Sequence, residues 1–104
     1  VELRDSATRA LGKFVESIPA GQLPAGLRQS VVEQLQANLA DASPAIRAKA
    51  VRSLGKLAKY GHLTHDECGA LAETCRHLLG EDEHFTWDRA YVVRKEAKEA
   101  LQYT

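Results

Sequence analysis

The sequence contains few aromatic residues, no methionine and no long apolar run. Aromatic residues make up 6% of the 104 residues. No stretch approaches the ~20 apolar residues that a membrane-spanning helix requires, so we expect no membrane contact. The 14 basic residues are balanced by 14 acidic residues. A chain with zero formal net charge has no global field that would draw it to nucleic acid or to an anionic membrane.

Cysteine is also scarce, because the chain contains only Cys68 and Cys75. Seven residues apart on one predicted helix, their Cα atoms would be separated by about 10 Å. A disulfide requires less than about 7 Å, so these two residues cannot bond to each other within that helix. Unpaired cysteines are typical of a reducing compartment. We therefore expect an intracellular protein, in the cytoplasm or in the nucleus.

Apolar residues recur at helical spacing along the chain, and no segment alternates with the period of a strand. The pattern predicts an all-α domain spanning residues 1–104. Pro24 suits the first turn of a helix, and Ser43 precedes a helix with Pro44 at its first position. Thr64 and Glu67 have the spacing of a capping box. We predict five helices, at about 2–16, 24–40, 44–60, 65–79 and 90–103.

One helical motif occurs three times. It reads IRAKAVRSLGKL at 46–57, LRDSATRALGKF at 3–14 and VRKEAKEALQY at 93–103. A second type of helix lies between the copies, so the helices alternate between two types. A single helix pair cannot bury its apolar stripe, whereas stacked pairs can. The motif therefore predicts helix pairs stacked side by side, with Leu11, Leu54 and Leu101 in one continuous interior.

The middle copy with its preceding turn, DASPAIRAKAVRSLGKL at 41–57, resembles the HEAT repeat. A spacing of 43 to 47 residues between copies fits that family. The resemblance implies a short right-handed α-solenoid of antiparallel helix pairs, used as a non-enzymatic scaffold for protein–protein interaction. The last copy departs from the family pattern because Gln102 replaces glycine. Since the chain begins almost inside a repeat, we expect it to be a fragment of a longer solenoid.

Basic residues form a stripe on the repeated helix, opposite its apolar positions, and we expect that stripe to face solvent. With the matching positions of the first copy, the basic patch comprises Arg9, Lys13, Lys49, Arg52, Lys56 and Lys59. In the third copy, glutamates replace two of these residues, as Glu96 and Glu99.

Two interpretations of the basic patch remain open. Its charges either pair with neighbouring helices and keep the surface soluble, or they bind an acidic ligand. That ligand would be a protein or an acidic peptide, with a nucleic-acid phosphate backbone as the alternative. No aromatic residue is interleaved in the stripe to stack on bases.

The connection between the last two predicted helices is longer than its counterpart and contains Phe85 and Trp87. These aromatic residues either cover the end of the last repeat or anchor a partner, because tryptophan is enriched in binding hot spots.

Two aspartates each precede an arginine by six residues, Asp41 before Arg47 and Asp88 before Arg94. An aspartate at a helix start suits the positive end of the helix dipole. The arginine of a neighbouring repeat would be placed to pair with it. The recurrence predicts a structural ladder of ion pairs across the stack.

Histidine and cysteine recur between residues 62 and 77, but at spacings that do not bring four ligands together as structural zinc requires. We therefore expect no metal and no other cofactor. No nucleophile has the flanking motif of a catalytic site, so we expect no enzymatic activity.

Overall fold

The computed structural model describes residues 22, 24–84 and 86–104, and this part of the chain is all-α. Its four helices are α1 (Ala25–Asn38), α2 (Pro44–Lys59), α3 (His65–Leu78) and α4 (Tyr91–Leu101). The first predicted helix, at about 2–16, lies outside the described residues. None of the four helices is long and apolar enough to cross a bilayer.

The helix starts follow local sequence chemistry. Pro44 is the first residue of α2, as predicted, and Ser43 occupies the N-cap position. The expected cap is only partly present, because the Ser43 side chain makes no hydrogen bond to the helix. The Oγ1 atom of Thr64 accepts a hydrogen bond from the Glu67 amide at 3.2 Å. In return, the Thr64 amide donates to the Glu67 carboxylate at 2.8 Å. This reciprocal pair completes the predicted capping box at the start of α3.

Glycine ends two of the helices. Gly61 and Gly80 adopt φ values of 77° and 74°, a left-handed conformation that side chains with a Cβ disfavour. Beyond them the chain turns back, and the amides of His62 and Glu81 donate to the carbonyls of Leu57 and Arg76, each at 2.8 Å. These bonds satisfy carbonyl groups that a helix end would leave open.

Helix α2 is the centre of the core, because it packs against all three other helices. Eight of its 16 residues are buried, on more than one side of the helix. Leu54 is buried, and Leu101 packs against the same cluster of apolar side chains. Leu11, the third member of the predicted interior, lies outside the described residues.

The most extensive contact between the described helices joins α2 and α4. Helices α2 and α4 run side by side in the same direction, since Arg47 reaches Asp88 just before α4 and Gly55 meets Ala100 near its end. Arg28 of α1 forms an ion pair with Glu67 in the first turn of α3. The extensive α2–α4 contact creates the surface described next.

Candidate functional site

A shallow groove of about 160 Å³ lies between α2 and α4. Its α2 side is basic and its α4 side carries two glutamates, so charges of opposite sign face each other across it. The lining residues are Arg52, Gly55, Lys56, Lys59, Glu96, Glu99, Ala100 and Tyr103.

The floor of the groove is formed by two small residues. A Cβ atom added to Gly55 would lie 3.0 Å from the Cβ atom of Ala100 and 3.2 Å from its Cα atom. Only glycine at this position lets the two helices approach so closely without displacement. The depth of the groove therefore depends on Gly55, a member of the repeated motif.

Arg52 and Glu96 line opposite walls of the groove. Arg52 is exposed and Glu96 is half-buried. Within residues 24–84 and 86–104, the ion pairs shorter than 4 Å involve neither of these side chains. Pairing between neighbouring helices, one of the two interpretations of the basic patch, is therefore not observed for Arg52. Its guanidinium remains accessible to a ligand.

Two tyrosines stand at one end of the groove, and sequence reasoning missed them. The Nζ atom of Lys59 lies 5.4 Å from the ring centroids of both Tyr60 and Tyr103. The Tyr103 hydroxyl donates to the Glu99 carboxylate at 3.2 Å. The repeat alignment could have indicated Tyr103 as a groove residue, because it places Tyr103 at the position of Lys56. These contacts hold one basic and one acidic side chain in place.

The described residues of the predicted basic patch differ in exposure. Lys49 and Lys56 are half-buried, whereas Arg52 and Lys59 are exposed. The basic stripe therefore does not face open solvent throughout, because α2 is packed on several sides by the other helices. Arg9 and Lys13 lie outside the described residues.

A bidentate ion pair fixes α4 against α2. The Nε and Nη2 atoms of Arg47 donate to the two carboxylate oxygens of Asp88, at 2.8 Å and 3.1 Å. The Nη1 atom of Arg47 donates to the Asp41 carbonyl at 2.8 Å. Arg94 makes the equivalent bond to the Asp88 carbonyl, also at 2.8 Å. One step of the predicted ladder is thus present, and its role is to hold the helices beside each other.

Residues 31–61 match the family model of the HEAT repeat. This part of the chain is similar to a HEAT repeat. The matched span covers most of α1, the following turn and all of α2, so it includes the basic wall of the groove. No curated protein and no solved structure matches the chain. HEAT repeats are generally protein-interaction scaffolds, and the family is typically non-enzymatic.

Trp87 lies beyond the HEAT repeat match, outside the groove, and its side chain is 60% exposed. Its ring packs on Gly80 at the end of α3, where an added Cβ would lie 3.1 Å from the Cε3 atom. Trp87 therefore covers one helix end and still presents most of its surface. Phe85, the other aromatic residue of this segment, lies outside the described residues.

Among the residues that the structure describes, no three histidine, cysteine, aspartate or glutamate side chains form a group that could hold a metal ion. His77 hydrogen-bonds Asp82 at 2.8 Å, and its ring meets that of His84 edge-on at 5.7 Å. Cys75 is fully buried, and burial raises the pKa of its thiol to about 11. A thiol of that pKa is protonated at neutral pH and is a poor nucleophile.

Proposed function

We propose that the chain is a non-enzymatic scaffold module that binds a protein partner in the α2–α4 groove. The observation that carries this proposal is the accessible Arg52 guanidinium, opposite Glu96 across the α2–α4 groove. Charged side chains on a concave surface, such as Arg52 and Glu96, favour specific docking of a chain with complementary charges.

We further propose that the groove belongs to a longer surface of a right-handed solenoid. The repeated motif at 3–14 supports this, because it carries the glycine and basic residues of the middle copy. A helix at 2–16 packed on α2 as α2 packs on α4 would add Arg9 and Lys13 to the same face. Trp87 would then provide a second, separate contact at the edge of the array.

The proposal is tested by capturing partners from a cell lysate on three immobilised proteins: the unmodified chain, Arg52→Glu and Arg76→Glu. Arg76 is an exposed residue of α3 outside the groove and serves as the matched control. Proteins retained by the unmodified chain and by Arg76→Glu, but lost by Arg52→Glu, are the expected result. Identical retention by all three proteins would remove the groove as the binding surface.

Nucleic-acid binding through the same patch is the weaker candidate, because Glu96 and Glu99 oppose a phosphate backbone on the second wall. A phosphate binder releases several counterions and elutes from heparin with a steep salt dependence. We expect elution from heparin at low salt, unchanged in Arg52→Glu. Strong retention that Arg52→Glu abolishes would favour the nucleic-acid alternative instead.

A further inference from the structure

The groove presents opposite charges on its two walls, and this arrangement narrows the class of partner. We infer that its ligand is a protein segment carrying charges of both signs, with an acidic side chain toward α2 and a basic side chain toward α4. This inference rests on the proposed function, since it concerns the same groove.

The argument begins with the acidic wall. Glu96 is half-buried and has no ion pair among the residues that the structure describes. A purely acidic segment seated in the groove would cover this carboxylate with like charge and remove its water. Like charges brought together in an interface weaken binding because nothing replaces the lost hydration. An acidic segment is therefore a poor occupant, although the α2 wall alone would attract it.

The basic wall disfavours a purely basic ligand by the same electrostatic argument. A purely basic segment would satisfy Glu96 and Glu99 but would be repelled by Arg52 and by Lys59. The Lys59 ammonium lies 5.4 Å from the centroids of two tyrosine rings at one end of the groove, so a basic ligand would meet a positive group there. A segment with alternating charge satisfies both walls at once.

The size of the groove limits what enters it. Its volume of about 160 Å³ is smaller than the roughly 300–1,000 Å³ of a typical small-molecule pocket. The floor is made of Gly55 and Ala100, which leaves space for one or two side chains over an apolar strip. These dimensions suit side chains projecting from a peptide, with charged ends directed to the walls.

The test uses three fluorescein-labelled peptides of equal length, one of alternating glutamate and lysine, one of glutamate alone and one of lysine alone. Binding to the full chain is measured by fluorescence anisotropy at low ionic strength. We expect the alternating peptide to bind tightest. Arg52→Glu and Glu96→Lys should each weaken it by about tenfold, which corresponds to about 1.4 kcal/mol.

The double variant Arg52→Glu/Glu96→Lys exchanges the two charges at the centre of the groove and leaves Lys59 and Glu99 in place. Since the alternating peptide again meets an opposite charge on each wall there, its affinity should exceed that for either single variant. Arg76→Glu should leave every affinity unchanged, and circular dichroism should show that all variants retain their helices.

Tighter binding of the glutamate peptide, strengthened further by Glu96→Lys, would overturn the mixed-charge inference while leaving the proposed scaffold function standing. Failure of all three peptides to bind would also overturn it. In that case, Arg52-dependent capture from lysate would still support the proposed function, so the two failures are distinguishable.

Discussion

Asp88 shows how one side chain positions a helix. Burial alone raises its pKa, but the hydrogen bonds from Arg47 and from the Ala90 amide, with the charges of Arg47 and Arg94, outweigh it. The pKa of Asp88 is therefore held below its usual range. The same contact raises the pKa of Arg47, through its hydrogen bond to Asp88. Both side chains are largely buried, with 20% and 8% of their surfaces exposed, so solvent screens the pair only weakly.

Asp88→Asn should lower the free energy of unfolding by about 2 kcal/mol, because the variant loses a charge-assisted hydrogen-bond pair at a mostly buried site. Urea denaturation measures the change. Glu83→Gln removes a carboxylate that is 88% exposed and should leave the midpoint nearly unchanged. An equal shift in both variants would mean that the effect comes from net charge rather than from the Arg47 contact.

The depressed pKa of Asp88 also predicts a pH dependence. In the unfolded chain the Asp88 carboxyl has a pKa of about 3.9, and in the folded protein its pKa is lower. The stabilisation is therefore fully present above that value and is lost as the pH falls through the lower folded-state pKa. Between about pH 5 and pH 2, the unmodified chain should lose more stability than Asp88→Asn, measured by thermal denaturation. Parallel pH profiles would contradict this assignment.

The two cysteines should differ in reactivity. Cys68 is half-buried, whereas Cys75 has no exposed surface and a thiol pKa raised by burial to about 11. At neutral pH a thiol reagent should label Cys68 first and Cys75 only when the helices open. Mass spectrometry of peptides from a labelling time course measures both rates. Equal rates in the folded protein would show that the core around Cys75 opens readily.

At the scale of the helix, helix propensity and tertiary packing favour different residues at position 55, which is occupied by Gly55. Alanine at this position would favour the helix intrinsically by about 1 kcal/mol. Its Cβ would, however, lie 3.0 Å from the Ala100 methyl group, which cannot turn away. Overpacking of this kind typically costs about 1–3 kcal/mol. We expect Gly55→Ala to destabilise the protein by about 1 kcal/mol net and to widen the groove.

Gly69 provides the matched control for this prediction. It also lies within a helix, but a Cβ there meets no atom within 4 Å. Gly69→Ala should therefore stabilise the protein by up to about 1 kcal/mol. Thermal denaturation of both variants gives the comparison. Stabilisation by Gly55→Ala to the same extent would show that α2 and α4 separate easily.

The helix ends could be predicted from sequence because their chemistry is local. Thr64, Glu67 and Gly61 act on residues no more than a few positions away, so spacing alone indicated the capping box and the stop of α2. The groove depends instead on which helix lies beside which. The repeat placed Glu96 at the position of Lys49 and Glu99 at the position of Arg52. It did not indicate that Arg52 and Glu96 would line opposite walls of one groove without forming an ion pair. The tyrosines around Lys59 come from two helix ends that meet only in the folded chain.

At the scale of the whole molecule, the Arg47–Asp88 pair predicts an equivalent ion pair between the first and second copies of the repeated motif. Arg4 and Asp41 occupy the equivalent positions one copy earlier in the repeat, although Arg4 lies outside the described residues. If the helix at 2–16 stacks on α2 as proposed, these two side chains should be coupled by about 1–3 kcal/mol. A double-mutant cycle with Arg4→Ala and Asp41→Asn measures that coupling. A cycle with Arg9→Ala and Asp41→Asn is the control, and equal coupling in both cycles would argue against the stacked arrangement.

Backbone contacts hold together the two ends of the segment between Gly80 and Trp87. Leu79 pairs with Trp87 in an isolated β-bridge, and the Asp88 amide donates to the Leu78 carbonyl at 2.9 Å. Helix α4 is therefore aligned by these bonds and by Arg47, not by the number of residues in the connection. Variation in the length or sequence of this connection would leave the groove intact. A foreign peptide could be displayed there, on the rim of the scaffold, without disturbing the register of its helices.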